Sequence, residues 1–181
     1  MAQYQNRTLH GRINKEEELE RQKRIKTNSK WKITKYFVML AVFIAAGIIV
    51  KKLVLGWLSG NLIVNPIFSF KEVHNYGAAF NLFQGRTEWL IIAGIVCVIA
   101  LAGFVVFKPL KVSQPAVSAM SLLSSGIILN TAERIQQGYV TDYIYFSFID
   151  KFPVFNISDM MIVIGALMLI QALIFKSRDN K

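Results

Sequence analysis

The stretch WLIIAGIVCVIALAGFVVF, Trp89 to Phe107, holds no charged side chain and has the length needed to cross bilayer hydrocarbon, which takes about 20 mostly apolar residues. Three further blocks meet the same test: Ile33 to Trp57, Pro115 to Leu129 and Asp159 to Phe175. Hydrophobic residues make up 54% of the chain and the mean hydropathy is +0.41. They gather in blocks and do not alternate with polar residues, as a soluble core would require, so the chain is an integral membrane protein. The third block is diluted by Ser118, Ser121, Ser124, Ser125 and Gly126. It is expected to continue to about Gln137, with Asn130, Glu133 and Arg134 facing protein or water, and its small residues suit close helix packing better than catalysis.

Basic residues set the orientation. Of the 21 Lys and Arg, ten precede Tyr36, Lys108 and Lys111 lie between the second and third spans, and Lys176, Arg178 and Lys181 follow the fourth. This bias predicts cytoplasmic termini. The net charge of +10 is then mostly topology plus attraction to anionic lipid, and no nucleic-acid partner is expected. The chain divides into a charged tail over 1–30, solvated and without chemistry of its own, a four-helix domain over 31–176, and a short tail over 177–181. Ala45, Ala46 and Gly47 are small enough for a leader cleavage site, but the basic region before them is too long for one, so the first span is kept as an anchor. Lys51 and Lys52 at its outer end are expected to extend their ammonium groups to the interface. With one cysteine, Cys97, no intrachain disulfide forms. Cys and His spacing suggests no metal site, since His10 lies in the tail and His74 in a connection.

Two extracytoplasmic connections remain, about 58–87 and 138–158. In the second, Gly138 suits a helix C-terminus. After it, Tyr139, Thr141, Tyr143 and Tyr145 alternate with Val140, Asp142, Ile144 and Phe146, which predicts a short strand with Asp142 on the membrane side and the tyrosines on the wet side. Leu62 to Val64 and Ile67 to Val73 are strand-like too, so the expected fold is an all-α membrane bundle of four transmembrane helices with a small extracytoplasmic β-sheet.

Only four aspartates occur in the chain, and Asp142 and Asp159 sit in apolar surroundings where a carboxylate is expensive. Locally, Asn156 and Asp159 form the pattern of a capping box, with the carboxylate at the positive end of the helix dipole. Asn130, Glu133 and Arg134 share one helical face, where Glu133 and Arg134 suit a structural ion pair. Asp150 and Lys151 have the look of an exposed loop pair.

The order of four motifs is more specific than any one of them. Asn75-Tyr76-Gly77-Ala78-Ala79-Phe80, Asn130-x-x-Glu133-Arg134, Val140-Thr141-Asp142-Tyr143 and Phe155-Asn156-Ile157-Ser158-Asp159 together resemble the lipoprotein signal peptidases, or signal peptidase II, over roughly Val38 to Phe175. The resemblance implies a cofactor-free aspartic peptidase, taken as a monomer, in the bacterial cytoplasmic membrane. Its active site faces outward, and it cuts prolipoprotein signal peptides before a diacylglyceryl-modified cysteine. Asp142 matches the family's V-V-D-F segment and Asp159 its F-N-x-A-D segment, which makes them the catalytic dyad. Asn75, Gly77, Asn130, Glu133, Arg134 and Asn156 match its supporting and substrate-binding positions.

Three departures stand out. The family's first-span D-Q-x-x-K aligns its lysine with Lys51 and leaves Gly47 where the aspartate belongs, the N-x-x-D-R aspartate is here Glu133, and the long charged tail has no usual counterpart. These leave an impaired paralogue that binds lipidated peptides as one alternative. A small transporter-like bundle is the other, disfavoured because the second and fourth spans are apolar except near their ends and at Gln171.

Overall fold

The apolar blocks become four helices, two strands join them at one end, and each helix owes its position to what its sequence leaves unsatisfied. The computed structural model describes residues 2–58, 67–78, 82–149 and 152–179, with side chains described within 15–175. The elements in chain order are α1 (Ala2–Leu58), β1 (Phe68–Asn75), α2 (Thr87–Phe107), α3 (Gln114–Gln137), β2 (Val140–Phe146) and α4 (Ile157–Asp179), with a short 3₁₀ turn over Pro109–Lys111 between α2 and α3. All four helices are long and apolar enough to cross a membrane. The strand-like Leu62 to Val64, the Asp150–Lys151 pair, His10 and the Ala79-Phe80 end of the first motif lie outside the described residues or side chains.

α1 runs without a break from the charged segment into the apolar one, and from Lys15 onward the charged part is exposed on nearly every residue. Its pairs are local, Gln22 to Glu18 and Lys23 to Glu20, both at 2.9 Å.

The most polar span is the most enclosed. Half of α3's spanning segment is buried inside the protein, against 6% for α1 and for α2 and 22% for α4. Surrounding α3 with the other helices shelters its serines from lipid. Ser121, Ser124 and Ser125 are fully buried, and their hydroxyls bond inward: Ser121 Oγ to Val117 O at 2.8 Å, Ser125 Oγ to Ser121 O at 2.7 Å, and Ser124 Oγ accepts from the Tyr36 hydroxyl of α1 at 2.9 Å. These serines therefore pack helices. Lys32 of α1 is likewise buried, and its ammonium donates to the carbonyls of Pro109 at 3.1 Å and Val112 at 2.7 Å, tying α1 to the α2–α3 turn.

α3 and α4 meet where each carries a glycine. A Cβ on Gly165 would stand 2.6 Å from Leu123 N, and one on Gly126 would run into Ser158 O and the Ile162 side chain. Only with hydrogen at both places can the first turn of α4 lie directly on α3.

The sheet is a single antiparallel pair, β1 against β2, in the register Phe68↔Phe146, Val73↔Asp142 and Asn75↔Val140, with an irregularity between Phe70 and Val73. A bridge between Ile144 and Phe155 then ties β2 to the segment entering α4. One sequence expectation fails here. Tyr143 is fully buried, so it does not take the wet side, and Val140, Thr141, Asp142 and Tyr143 are all enclosed. The strand is covered on both faces at this end, and the Tyr143 hydroxyl points to the start of α4.

Candidate active site

Four elements deliver the polar residues to one place. α3 ends at Gly138, in the left-handed conformation at φ 83°, and its N–H closes on Arg134 O at 3.0 Å. The chain turns there directly into β2, so Asp142 sits within a few residues of Asn130, Glu133 and Arg134 on the helix just left. β1 brings Asn75 alongside, and α4 opens with Asn156 to Asp159.

Both carboxyls are held by asparagine amides whose orientation is fixed by their oxygen ends. Asn75 Oδ1 accepts from Gly77 N at 2.9 Å, so its amide nitrogen faces Asp142 Oδ2 at 2.8 Å. Asn156 Oδ1 accepts from Ser158 N at 2.7 Å and Asp159 N at 3.0 Å, so its nitrogen donates to Asp142 Oδ1 at 2.6 Å. Asn130 Oδ1 accepts weakly from Asn156 Nδ2 at 3.3 Å and its nitrogen donates to Asp159 Oδ1 at 2.7 Å. Asp159 Oδ2 accepts from the Asn156 backbone N–H at 3.0 Å, completing the capping box. Capping and convergence thus coincide in Asp159: one oxygen closes the helix and the other meets Asn130. Asn156 bonds both aspartates, one through its side chain and one through its backbone.

The first turn of α4 is fully satisfied. Ser158 and Asp159 give their N–H groups to Asn156, and Ile157 N gives its hydrogen to the Tyr143 hydroxyl at 3.3 Å. Burial pushes that phenol up to about 12, although the Ile157 N–H works against the shift. Asp142, 2% exposed, is pushed up to about 6, first by burial and further by the charge of Asp159. The Asn75 and Asn156 amides and the Arg134 guanidinium oppose the rise.

Arg134 does not pair with its neighbour Glu133. Its Nη2 donates to Gly77 O at 2.7 Å and its Nη1 to Asn130 O at 3.3 Å, and its Nε is buried without a hydrogen-bond partner among the described residues. Glu133 instead forms an ion pair with Lys51 of α1, and the same oxygen, Oε2, accepts from the backbone N–H of Thr141 at 2.9 Å. Lys51 therefore turns inward, contrary to the expectation that it reaches the interface, because a partly buried carboxylate is within its range; Lys52 remains exposed. The glycine at position 47 has a packing consequence too: a Cβ there would collide with Leu129 of α3 and lie 3.4 Å from Met161. Lys51, Thr141 and Tyr143 are not among the site residues that the sequence marks. Lys51 had a signal in the family's D-Q-x-x-K, whereas the Tyr143 contact depends on a fold no local pattern encodes.

Asp142, Asp159, Asn130 and Arg134 line a cavity of about 1010 Å³ whose remaining walls are mostly aliphatic and aromatic, among them Phe70 and Ile127. A large apolar cavity with a few convergent polar groups is the usual form of a small-molecule or peptide site. The class defined by fold and site is a multi-pass membrane protein with two bridged carboxyls in an apolar cavity.

Comparison with known proteins narrows this. The signal peptidase (SPase) II family profile matches residues 32–175, and the chain belongs to that family. A lipoprotein signal peptidase of Dehalococcoides mccartyi (strain ATCC BAA-2266 / KCTC 15142 / 195) is 41% identical over 106 residues, 57% of this chain and 64% of that protein, a little under two thirds of its length. The lipoprotein signal peptidase of Clostridium tetani is 32% identical over 146 residues, covering 73% of this chain and 90% of the relative. A solved bacterial membrane enzyme at 2.3 Å superposes with a TM-score of 0.69 at 26% identity, over 81% of this chain and 91% of that one.

The Lys51–Glu133 pair makes a prediction for stability. Lys51→Met and Glu133→Gln, singly and together, are expected to be non-additive by about 1 kcal/mol or more in denaturant unfolding, because each single change strands the other's charge. Additive losses would show that the pair contributes nothing.

Proposed function

We propose that the chain is an aspartic endopeptidase that removes the signal peptides of prolipoproteins, cutting before a diacylglyceryl-modified cysteine. The observation that carries this is the double engagement of Asn156, whose side chain bonds Asp142 and whose backbone bonds Asp159. Two carboxyls so joined in a poorly solvated place are costly to ionise together, so one gives up its proton well before the other, and over the pH interval between they hold one proton between them. The anion then takes a proton from water as the water attacks the scissile carbonyl, and the acid donates to the carbonyl oxygen. Collapse of the tetrahedral species returns a proton to the leaving amine. Asn75, Asn130 and Asn156 aim the carboxyls. Arg134, anchored through Gly77, retains an unpartnered Nε for a substrate carbonyl, and Glu133 fixes β2 beside Asp142.

The family and the names of its relatives support the substrate class, and the apolar cavity suits a substrate that arrives through the bilayer with acyl chains attached. The charge bias along the sequence favours cytoplasmic termini, with the dyad at the outer face of the bacterial cytoplasmic membrane. The chain acts as a monomer in this scheme, and the charged segment before residue 31 takes no part in the chemistry.

Incubation of the purified protein with a diacylglyceryl-modified prolipoprotein tests the proposal. The parent is expected to release the signal peptide, and Asp142→Asn and Asp159→Asn to lose at least about 10³-fold in rate with unchanged circular dichroism. Cleavage that survives either change removes that residue from the mechanism, and an inactive parent sinks the peptidase assignment.

The pH profile gives a second expectation. Asp142 lies above the ordinary value of 3.8, so it favours the folded state at low pH, fully below 3.8, and that contribution is lost as pH rises through about 6. For activity the same value sets the alkaline limb, above which the pair gives up its shared proton and no acid is left to donate. Asn75→Ala removes a donor that stabilises the anion, so the limb of kcat/KM should move upward by about one pH unit. A limb that stays in place or moves down contradicts the assignment of Asn75.

A further inference from the structure

The end of the sheet remote from Asn75 carries a group of phenylalanines that touches neither carboxyl and extends beyond the cavity to the surface. Phe68 pairs across the strands with Phe146, their rings 5.3 Å apart, and Phe146 also contacts Phe148 at 5.6 Å, Phe152 at 5.1 Å and Phe155 at 5.3 Å. The outward members are exposed to a degree unusual for rings already clustered: Phe148 is 63% exposed, Phe68 43% and Phe152 39%, flanked by Ile67 at 56% and Ile149 at 41%. None of these side chains has a polar end to offer water. A contiguous apolar patch of this kind, in water, is costly and marks an interaction surface.

Its height relative to the membrane identifies what covers it. Phe155 lies two residues before Ile157, where the fourth spanning helix begins, and two residues reach at most about 7 Å. The headgroup layer is about 5–7 Å deep. Phe155 in turn touches Phe152 at 5.9 Å as well as Phe146, so the cluster grows outward from the level at which α4 enters hydrocarbon. The exposed charges of the sheet, Lys71 and Glu72, sit away from the tip, at the irregularity of β1. Phe68, Phe146, Phe152 and Phe155 line the same cavity as Met160, Val163 and Ile164 of α4, which are themselves exposed.

We propose that this phenylalanine tip, Phe148 and Phe68 included, is seated among the acyl chains of the bilayer leaflet on the sheet's side. The sheet is then held at both ends, by lipid at Phe68 and Phe148 and by hydrogen bonds to Asn156 at Asp142. Phe68, Phe146 and Phe152 also line the cavity, so its rim at this end lies at the level of lipid. A substrate anchored by acyl chains would meet the cavity without leaving the leaflet. The seating itself does not depend on catalysis.

The test uses the full chain in phosphatidylethanolamine–phosphatidylglycerol vesicles. Cys97→Ser removes the native thiol, and a nitroxide is attached at Phe148→Cys or, as the reference, Glu72→Cys. Power-saturation electron paramagnetic resonance then compares collisions with oxygen, which concentrates in lipid, and with a water-soluble nickel chelate. Oxygen is expected to exceed the chelate several-fold at position 148 and to fall below it at position 72. Equal chelate access at both positions would place the tip in water and overturn the proposal. Dipolar broadening between labels on two chains, relieved by dilution with unlabelled protein, would overturn it in favour of a second copy.

Discussion

An asparagine amide has one accepting end and one donating end, and the site depends on where the accepting ends are used. Asn156 gives its oxygen to two N–H groups of the α4 first turn, and Asn75 gives its oxygen to Gly77 N. With the oxygens committed, the nitrogens face Asp142 from two sides. Asn130 does the same for Asp159, more loosely. For Asn75 and Asn156 the orienting bonds come from backbone N–H groups, which cannot drift without unravelling a turn or a helix end, whereas Asn130 is oriented by the Asn156 side chain. Burial holds the Asp142 carboxyl high, at about 6, and the asparagine donors and the charge of Arg134 only partly offset the rise.

The fold supplies this arrangement through close approaches. Gly126 and Gly165 let α4 lie on α3, which sets Asn130 against Asp159. Gly138 stops α3 and sends the chain into β2. Glu133 and Lys51 join α1 and α3 and hold Thr141, the residue before Asp142. The Tyr143 hydroxyl, where the family's V-V-D-F carries phenylalanine, adds a tie from β2 to Ile157. The Gly47 and Glu133 departures also make joint sense: Leu129 occupies the space beside position 47, and the longer Glu133 supplies a carboxylate to Lys51.

The bundle was legible because hydropathy reports burial in lipid directly, and all four spans follow from blocks such as Trp89 to Phe107. The capping box was legible because Asn156 and Asp159 are three residues apart. What could not be read were choices among partners. Glu133 had Arg134 beside it in sequence and Lys51 far away, and geometry chose Lys51 because the Arg134 side chain leaves for Gly77. Alternation in β2 assigned Tyr143 to water on the premise that one face of a small sheet is wet, and a strand enclosed on both faces breaks that premise. The serines of α3 read as packing residues in sequence, and the enclosure of that helix agrees with that reading.

The most direct test of a single coupled acid pair is an infrared titration of protein labelled with ¹³C-carboxyl aspartate, comparing the parent with Asp159→Asn. The account predicts that Asp142 titrates near 6 in the parent and that its midpoint falls in the variant, since the charge of Asp159 raises it. An Asp142 midpoint that does not move when Asp159 is neutralised would contradict the account.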